Sequence, residues 1–226
     1  MPDRIQLSRA KPIIFSAPMV QALLAGRKTQ TRRLLNLRNG IIRDRSDAND
    51  CVRFFVGDRL YVREAHYLTD DGDEECAVYA GDTIAAIEHF DAIRRMQKEL
   101  HLSDEWAAPH LRLRPPIHMP RWASRLTLAL TDVWVHRLND ISEADAVAEG
   151  CLMDPEPDEY GNHMPAEIAH ERGGDIGWDC ARDWFADLWD RIHGPNAWDA
   201  NPWVVAVSFD VQHGNVDQLK AGANNA

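Results

Sequence analysis

Four basic side chains lie within seven residues near the start of the chain, and no acidic residue interrupts them. They are Arg27, Lys28, Arg32 and Arg33. The whole chain carries a net charge of −11, so this segment is a local exception. A basic patch on an acidic body concentrates small anions more readily than it holds a long polyanion. We therefore expect this segment to bind a small anionic or nucleotide-like ligand.

Composition narrows the class of protein. The acidic balance argues against a broad, non-specific binder of duplex nucleic acid, which needs a basic surface. Apolar residues make up 45% of the 226 positions and include eight tryptophans, enough for a substantial core. The longest apolar runs, such as 203–207, have the length of a strand, so we expect no membrane association. The first residues lack the layout of a signal peptide, and the four cysteines are widely spaced, which favours reduced thiols in the cytoplasm.

The sequence contains no recognisable motif for a metal or a cofactor. His163 and His170 flank Glu167, but this spacing matches no standard metal site. There is no glycine-rich phosphate loop and no G-x-S-x-G nucleophile motif. We therefore expect no metal and no cofactor.

The elements around the basic segment determine where its side chains point. Residues 11–15 indicate a strand, Ser16 caps a helix that follows, and Gly26 ends it. Residues 29–35 indicate a second strand. In a regular strand Lys28 and Thr31 would point to opposite faces, so for the two to meet Lys28 must lie in the turn before the strand begins.

The remaining pattern is a series of short strands and helices. Strict alternation over 59–66 places Glu64 and His66 on an otherwise apolar face. The strand over 124–138 changes its apolar parity part-way, as at a β-bulge or a barrel corner. Other segments indicate a loop over 36–50, a strand over 76–80, helices over 83–100 and 142–150, a loop over 151–177, a helix capped by Asp179 and ended by Gly194, and a strand over 203–209.

This succession predicts an α+β fold in which a small barrel of five or six strands carries short flanking helices. A doubly wound parallel sheet is not expected, because regular β-α-β alternation is missing. We expect an N-terminal extension over 1–10 and a single domain over 11–212. Insertions interrupt that domain at about 68–115 and 151–177, and a flexible tail follows over 213–226.

Several strings of the sequence resemble motifs of ASCH domains, which belong to the PUA-like superfamily. In chain order they are 11–15 (KPIIF), 25–33 (AGRKTQTRR), 57–64 (GDRLYVRE), 117–125 (IHMPRWASR), 141–144 (ISEA), 148–150 (AEG) and 198–204 (WDANPWV). The last string is similar to the longer branch of the family, which is often encoded by phages or prophages. The ordered set is much more specific than any one of its strings.

The resemblance implies a PUA-like barrel with a cleft for a nucleobase. The best-known enzymes among small ASCH proteins are amidohydrolases that remove the acyl group from N4-acetylcytidine, and a lysine, a threonine and a glutamate are described as their catalytic set. At the matching positions this chain has Lys28, Thr31 and Glu149. The chain is about twice as long as those enzymes, and its two insertions leave the range of substrates open.

The chemistry of these three side chains suits the hydrolysis of an amide. The reaction needs a nucleophile, a base to take its proton and an acid for the leaving amine. Thr31 supplies a hydroxyl, and Lys28 activates it if burial and the neighbouring arginines lower its pKa. Glu149 lies near the negative end of a helix, where the dipole disfavours ionisation and so helps it to hold a proton.

Each of these residues also has a purely structural interpretation. Lys28 could be a solvated cation at a helix end, Thr31 an ordinary strand residue and Glu149 a residue on a helix surface. Glu64 could pair with Arg33 or Arg125, and Trp122 and His118 could simply pack in the core. The substrate-binding residues that we predict are Arg27, Arg33, Glu64, His118, Arg121 and Trp122, with Trp122 stacking on a base.

Three functions are open on the sequence alone. The first is hydrolysis of an N4-acylated cytosine nucleoside, with a small nucleoside as the substrate. The second is a non-enzymatic reader that binds RNA or a modified base. The third is an interaction role in phage morphogenesis, which only the family's genomic setting suggests. The sequence does not determine the oligomeric state.

Overall fold

The computed structural model describes residues 10–35, 42–70, 75–154, 165 and 178–222. Within them the chain forms seven strands and seven helices. In chain order these are Lys11–Ile14 (β1), Ala17–Leu24 (α1), Gln30–Leu34 (β2), Arg45–Asp50 (α2), Arg59–Arg63 (β3), His66–Asp70 (β4), Glu75–Tyr79 (β5), Thr83–Glu99 (α3), Asp104–Leu111 (α4), Leu126–Arg137 (β6), Glu143–Ala148 (α5), Ala181–His193 (α6), Trp203–His213 (β7) and Val216–Gly222 (α7).

Five of the strands form one mixed sheet in the order β1-β3-β6-β7-β2. Strand β1 runs parallel to β3, whereas β3 pairs antiparallel with β6 and β2 antiparallel with β7. Strands β4 and β5 form a separate antiparallel pair. The five-stranded sheet is curled like half a barrel. Because several helices accompany this sheet, the α+β class predicted from the sequence is confirmed. The assignment to the PUA-like superfamily stays a prediction.

The chain divides into two compact units, each assembled from separate segments. One unit consists of Met1–Gln21, Arg59–Ala129 and Val211–Ala226, and the other of Ala22–Asp58 and Leu130–Asp210. In the first unit Leu60, Val62, Leu126 and Leu128 are fully buried. In the second, Trp184, Phe185 and Trp189 of α6 form the apolar face of an amphipathic helix. None of the helices within the described residues combines the length and apolar character needed to cross a bilayer.

Several predicted elements agree with the structure. Strand β1, helix α1 and strand β2 follow one another as expected, and α3 begins and ends within one residue of its predicted bounds. In β6 the buried side chains change parity, from Leu126, Leu128 and Leu130 to Val135. The Ser142 hydroxyl accepts a hydrogen bond from the Asp145 N–H and caps α5 as predicted.

The strand predicted over 59–66 is wrong in its second half. Strand β3 ends at Arg63, and His66 begins β4, which belongs to the two-stranded sheet. The Glu64 N–H donates to the sulfur of Met119 at 3.2 Å rather than to a neighbouring strand. The burial of β3 also differs from the predicted alternation. Tyr61, which lies between Leu60 and Val62, is buried as well, so the centre of β3 has no exposed face. Alternation alone could not locate the break at Glu64.

Three further predictions need correction. The segment predicted as a loop over 36–50 contains α2, whose N-terminus is capped by Asp44. The polar tail contains α7, which is anchored by the fully buried Val216. Helix α6 is not capped by Asp179, because the carboxylate of Glu143 accepts hydrogen bonds from the Ala181 and Arg182 N–H groups. Most of the loop predicted over 151–177, and residues 1–9 of the extension predicted over 1–10, lie outside the described residues.

Candidate functional site

The turn between α1 and β2 positions Lys28. Gly26 adopts a positive φ of 71°, a conformation that glycine permits at a helix C-terminus. The N–H groups of Arg27 and Lys28 both donate to the Ala22 carbonyl, at 2.9 and 3.1 Å. Lys28 therefore lies in the turn that precedes β2, which is the placement the sequence argument required.

The end of α5 positions Glu149. Glu149 is the C-cap residue of this helix, and Gly150 follows with a φ of 108°. The N–H of Thr29 donates to the Ala148 carbonyl at 2.9 Å, which joins the turn before β2 to the last residue of α5. This backbone contact brings the two segments together although they are more than a hundred residues apart in sequence.

Lys28 and Glu149 form a buried ion pair. The Lys28 Nζ lies 2.6 Å from Glu149 Oε2 and also donates to the Glu149 carbonyl at 2.7 Å. Only 2% of Lys28 and 3% of Glu149 is exposed. Burial lowers the pKa of Lys28, and the positive charges of Arg33 and Arg32 act in the same direction, while the Glu149 carboxylate opposes them. With its pKa lowered in this way, Lys28 gives up its proton more readily than an exposed lysine does.

Thr31 belongs to the same cluster through its neighbour Arg33. The Thr31 hydroxyl is 1% exposed and accepts a hydrogen bond from Arg33 Nη1 at 3.1 Å. Burial lowers the pKa of Arg33, and the attraction of Glu149 partly offsets this. Arg27 also contacts the cluster, because its Nη1 donates to the Gly150 carbonyl at 3.0 Å. The predicted residues Arg27, Lys28, Thr31, Arg33 and Glu149 therefore gather in one unit.

Sequence reasoning missed the role of a buried arginine that links Glu149 to side chains of α5 and β6. Arg32 is 2% exposed, and its guanidinium contacts Glu149 Oε1 at 3.1 Å, His136 Nε2 at 3.2 Å and Asp145 Oδ2 at 3.4 Å. The sequence predicts Arg32 only as a charge of the basic segment and as one of the arginines that lower the pKa of Lys28. Nothing in the sequence pointed to His136, whereas Asp145 was visible as part of the capping pattern at α5.

The other predicted substrate-binding residues belong to the first unit. Both carboxylate oxygens of Glu64 accept hydrogen bonds from Arg125 at 2.9 Å, so the predicted pairing with Arg125 is confirmed. Burial raises the pKa of Glu64, and the Arg125 guanidinium counteracts it. That guanidinium also lies over the ring of Tyr79, 3.9 Å from its centre. Glu64 is thus held in an ion pair, as its structural interpretation predicted.

The segment over 116–123 carries the last three predicted residues. Arg121 makes two hydrogen bonds to the carboxylate of Asp217, at 2.7 and 2.8 Å, and one to the Ala10 carbonyl. Trp122 exposes 45% of its surface, which is compatible with stacking on a base. His118 ends a single helical turn that begins at Pro116.

A metal site needs several His, Cys, Asp or Glu side chains close together. Within the described ranges no three His, Cys, Asp or Glu side chains are grouped so as to hold a metal ion. His163, Glu167 and His170 lie outside the ranges. All four cysteines fall inside them, and Cys51, Cys151 and Cys180 are free thiols.

Comparisons with known proteins add no identification. No protein-family model, no curated protein and no solved structure matches this chain. The resemblance to ASCH domains therefore rests on the sequence strings alone.

Proposed function

We propose that this chain is an ASCH-type protein of the PUA-like superfamily that hydrolyses the acyl amide of an N4-acylated cytosine nucleoside in the cytoplasm. The observation that carries the proposal is the contact of 2.6 Å between Lys28 Nζ and Glu149 Oε2, both buried, in the unit that also contains the buried Thr31, whose hydroxyl accepts from Arg33. The family resemblance names the same three residues independently of this contact.

The Lys28–Glu149 pair is suited to transferring protons in both directions. The amine and the carboxylate are 2.6 Å apart, close enough to exchange a proton directly. When the proton is on Glu149, the pair offers a neutral amine as a base and a carboxylic acid as a proton donor at the same time. Amide hydrolysis needs both groups.

The reaction then proceeds in two steps. Thr31 Oγ1 attacks the acyl carbon while Lys28 takes the hydroxyl proton, and Glu149 protonates the cytosine N4 as the C–N bond breaks. The acyl group is now an ester on Thr31 and the free cytosine nucleoside departs. Water then attacks the ester, the ionised Glu149 takes its proton, and Lys28 returns a proton to Thr31 Oγ1. The net change is one water consumed, with one carboxylic acid and one amine released.

Arg33 and Arg27 supply positive charge where the transition state becomes negative. The first attack places negative charge on the acyl oxygen, and fixed donors in a buried site stabilise such an oxyanion strongly. Arg33 already donates to the Thr31 hydroxyl, so its guanidinium lies beside the atom that attacks. We assign Arg33 to the oxyanion and Arg27 to the substrate.

The test is release of cytidine from N4-acetylcytidine by the purified protein, followed by chromatography. Lys28→Ala and Thr31→Ala should each lower the rate by at least about a hundredfold, the usual contribution of one acid–base or nucleophilic group. The matched control is Arg43→Gln, which removes an arginine whose side chain is 79% exposed in a surface ion pair with Asp47. It should keep full activity. Activity that survives both alanine variants would rule out the mechanism.

The reader function makes the opposite prediction in the same assay. A reader would bind an oligonucleotide carrying a modified base without converting any acylated nucleoside. Its affinity should fall steeply with salt, because each phosphate contact releases counterions, whereas a nucleoside hydrolase should show little dependence on salt. Binding without turnover would favour the reader.

A further inference from the structure

All three guanidinium nitrogens of Arg32 contact polar side chains. Nη1 donates to Glu149 Oε1 at 3.1 Å and to Gln30 Oε1 at 3.2 Å. Nε donates to His136 Nε2 at 3.2 Å, and Nη2 lies 3.4 Å from Asp145 Oδ2. These partners come from β2, β6, α5 and the C-cap of α5. The geometry is far more specific than an ion pair requires, since the planar fork must match several acceptors at once.

The first consequence concerns the two oxygens of Glu149. Oε1 accepts from Arg32, while Oε2 accepts from Lys28 at 2.6 Å. Because each oxygen has its own cation, the carboxylate cannot rotate without breaking a buried, charge-assisted hydrogen bond. Arg32 therefore keeps Oε2 directed at the lysine.

The second consequence concerns the protonation of His136. An arginine N–H can only donate, so His136 Nε2 must accept and carries no proton. The ring is then neutral, with its hydrogen on Nδ1. Burial and the charge of Arg32 lower the pKa of His136, and the acidic groups Asp140, Asp145 and Glu149 act in the opposite direction without reversing the result.

We propose that Arg32 is the positioning residue of the hydrolase site: it directs Glu149 Oε2 at Lys28 and holds His136 as the neutral tautomer protonated on Nδ1. The catalytic part of this inference rests on the proposed function, whereas the tautomer follows from the hydrogen bonds alone. Arg32 does not touch the substrate. It acts through Glu149 and, by its charge, through Lys28.

The pH profile separates this role from simple structural support. Burial lowers the pKa of Lys28 most. Among the charged groups Glu149 raises this pKa, and Arg33 and Arg32 lower it. Replacing Arg32 by Gln removes one cation and raises the pKa of Lys28. In the active form Lys28 is neutral and Glu149 carries the proton, so a higher pKa of Lys28 makes that form rarer and should lower kcat/KM throughout the neutral range. The descending limb, on which the pair loses this proton, should move to higher pH. The rate at neutral pH should fall by roughly tenfold for each unit of that movement.

The experiment compares Arg32→Gln and Arg32→Lys with the control Arg43→Gln. Each variant is assayed for kcat, KM and the pH profile with N4-acetylcytidine. We expect Arg32→Gln to lower kcat much more than it changes KM and to move the descending limb. Arg32→Lys keeps a positive charge, so it should move that limb less while still lowering kcat, because one ammonium cannot reach all the acceptors. Arg43→Gln should behave as the wild type.

A spectroscopic measurement on the wild-type protein keeps the inference testable even if an Arg32 variant fails to fold. Nitrogen-15 NMR of the histidines should show His136 neutral at pH 7 and protonated on Nδ1. A proton on Nε2, or an Arg32→Gln variant with unchanged kcat and pH profile, would overturn the inference. If the wild type releases no cytidine, the hydrolase proposal fails. The positioning role of Arg32 then stands if Lys28 titrates at higher pH in Arg32→Gln than in the wild type, and equal titration of Lys28 in the two proteins would overturn it.

Discussion

The backbone of Gly150 lies directly against the side chain of Lys28. A Cβ built on Gly150 would be 3.1 Å from the Lys28 Cβ and 3.0 Å from the Ala22 Cβ, both tighter than ordinary contacts. Gly150 also has a φ of 108°, which residues with a side chain rarely adopt. A residue other than glycine at position 150 would therefore push against the lysine whose partner is the adjacent Glu149.

Replacing Gly150 should separate backbone strain from contact with the site. We expect Gly150→Ala to lower the free energy of unfolding by about 1–3 kcal/mol and to lower hydrolase activity as Lys28 is displaced. Gly194→Ala is the matched control, because Gly194 has a similar φ of 101° but nothing within 4 Å of its added Cβ. Gly194→Ala should lose stability but keep its hydrolase activity. Urea unfolding measures the stability and the cytidine assay the activity, and equal activity of Gly150→Ala and Gly194→Ala would contradict the prediction.

The Lys28–Glu149 pair should show strong energetic coupling. Lys28→Met leaves the Glu149 carboxylate with one cation fewer, and Glu149→Gln leaves Lys28 and Arg32 without their shared acceptor. Glu149→Gln should cost about 3–5 kcal/mol, because it leaves buried positive charge uncompensated, and Lys28→Met should cost less, because Arg32 still pairs with the carboxylate. The double variant should cost clearly less than the sum. A double-mutant cycle from urea unfolding measures this, and additive losses would show that the two groups do not interact in solution.

Helix α6 should depend on a cap that comes from another helix. The Glu143 carboxylate accepts the N–H groups of Ala181 and Arg182, at 2.5 and 3.1 Å. Glu143→Ala should therefore lower the free energy of unfolding by about 1–2 kcal/mol, the usual value for losing an N-cap. Asp179→Ala, which removes the cap predicted from the sequence, should change stability by less than about 0.5 kcal/mol. A larger loss of stability for Asp179→Ala than for Glu143→Ala would show that Asp179 caps α6.

Stability should fall in mildly acidic solution because of His66. Its side chain is fully buried, and its Nδ1 contacts the Glu64 carbonyl at 3.1 Å. Burial lowers the pKa of His66 below its ordinary 6.5, and the charges of Arg114 and His118 add to this. The unfolded chain therefore binds more protons than the native state, so the free energy of unfolding should decrease as pH falls below 6.5.

Replacing this histidine tests the assignment of the acid sensitivity. In His66→Asn the amide nitrogen can keep the hydrogen bond to the Glu64 carbonyl but does not titrate, so the decrease below pH 6.5 should become shallower. His213→Gln removes an exposed histidine and should leave the slope unchanged. Thermal unfolding between pH 5 and 8 measures both slopes, and identical slopes for wild type and His66→Asn would assign the effect to other groups.

The local signals in the sequence identified most of the secondary structure around the site. Ser142 before α5 and the glycines at 26 and 150 determine where helices begin and end, because capping and positive φ depend on a few adjacent residues. The same signals required Lys28 to lie in a turn before β2, as it does. They failed where an apolar periodicity was short or absent, as in α2 and α7, and where alternation continued past the end of β3.

The sequence by itself determined the α+β class, the main elements and, through the family strings, which three side chains to consider. Only the tertiary structure decided the partners: Arg32 and Lys28 with Glu149, Glu143 rather than Asp179 at α6, and Arg125 rather than Arg33 with Glu64. Helices and turns form from contacts among neighbouring residues, so their rules can be read locally. A buried charged side chain instead pairs with whichever opposite charge the packing brings within about 3 Å, and the chain contains many residues of suitable charge.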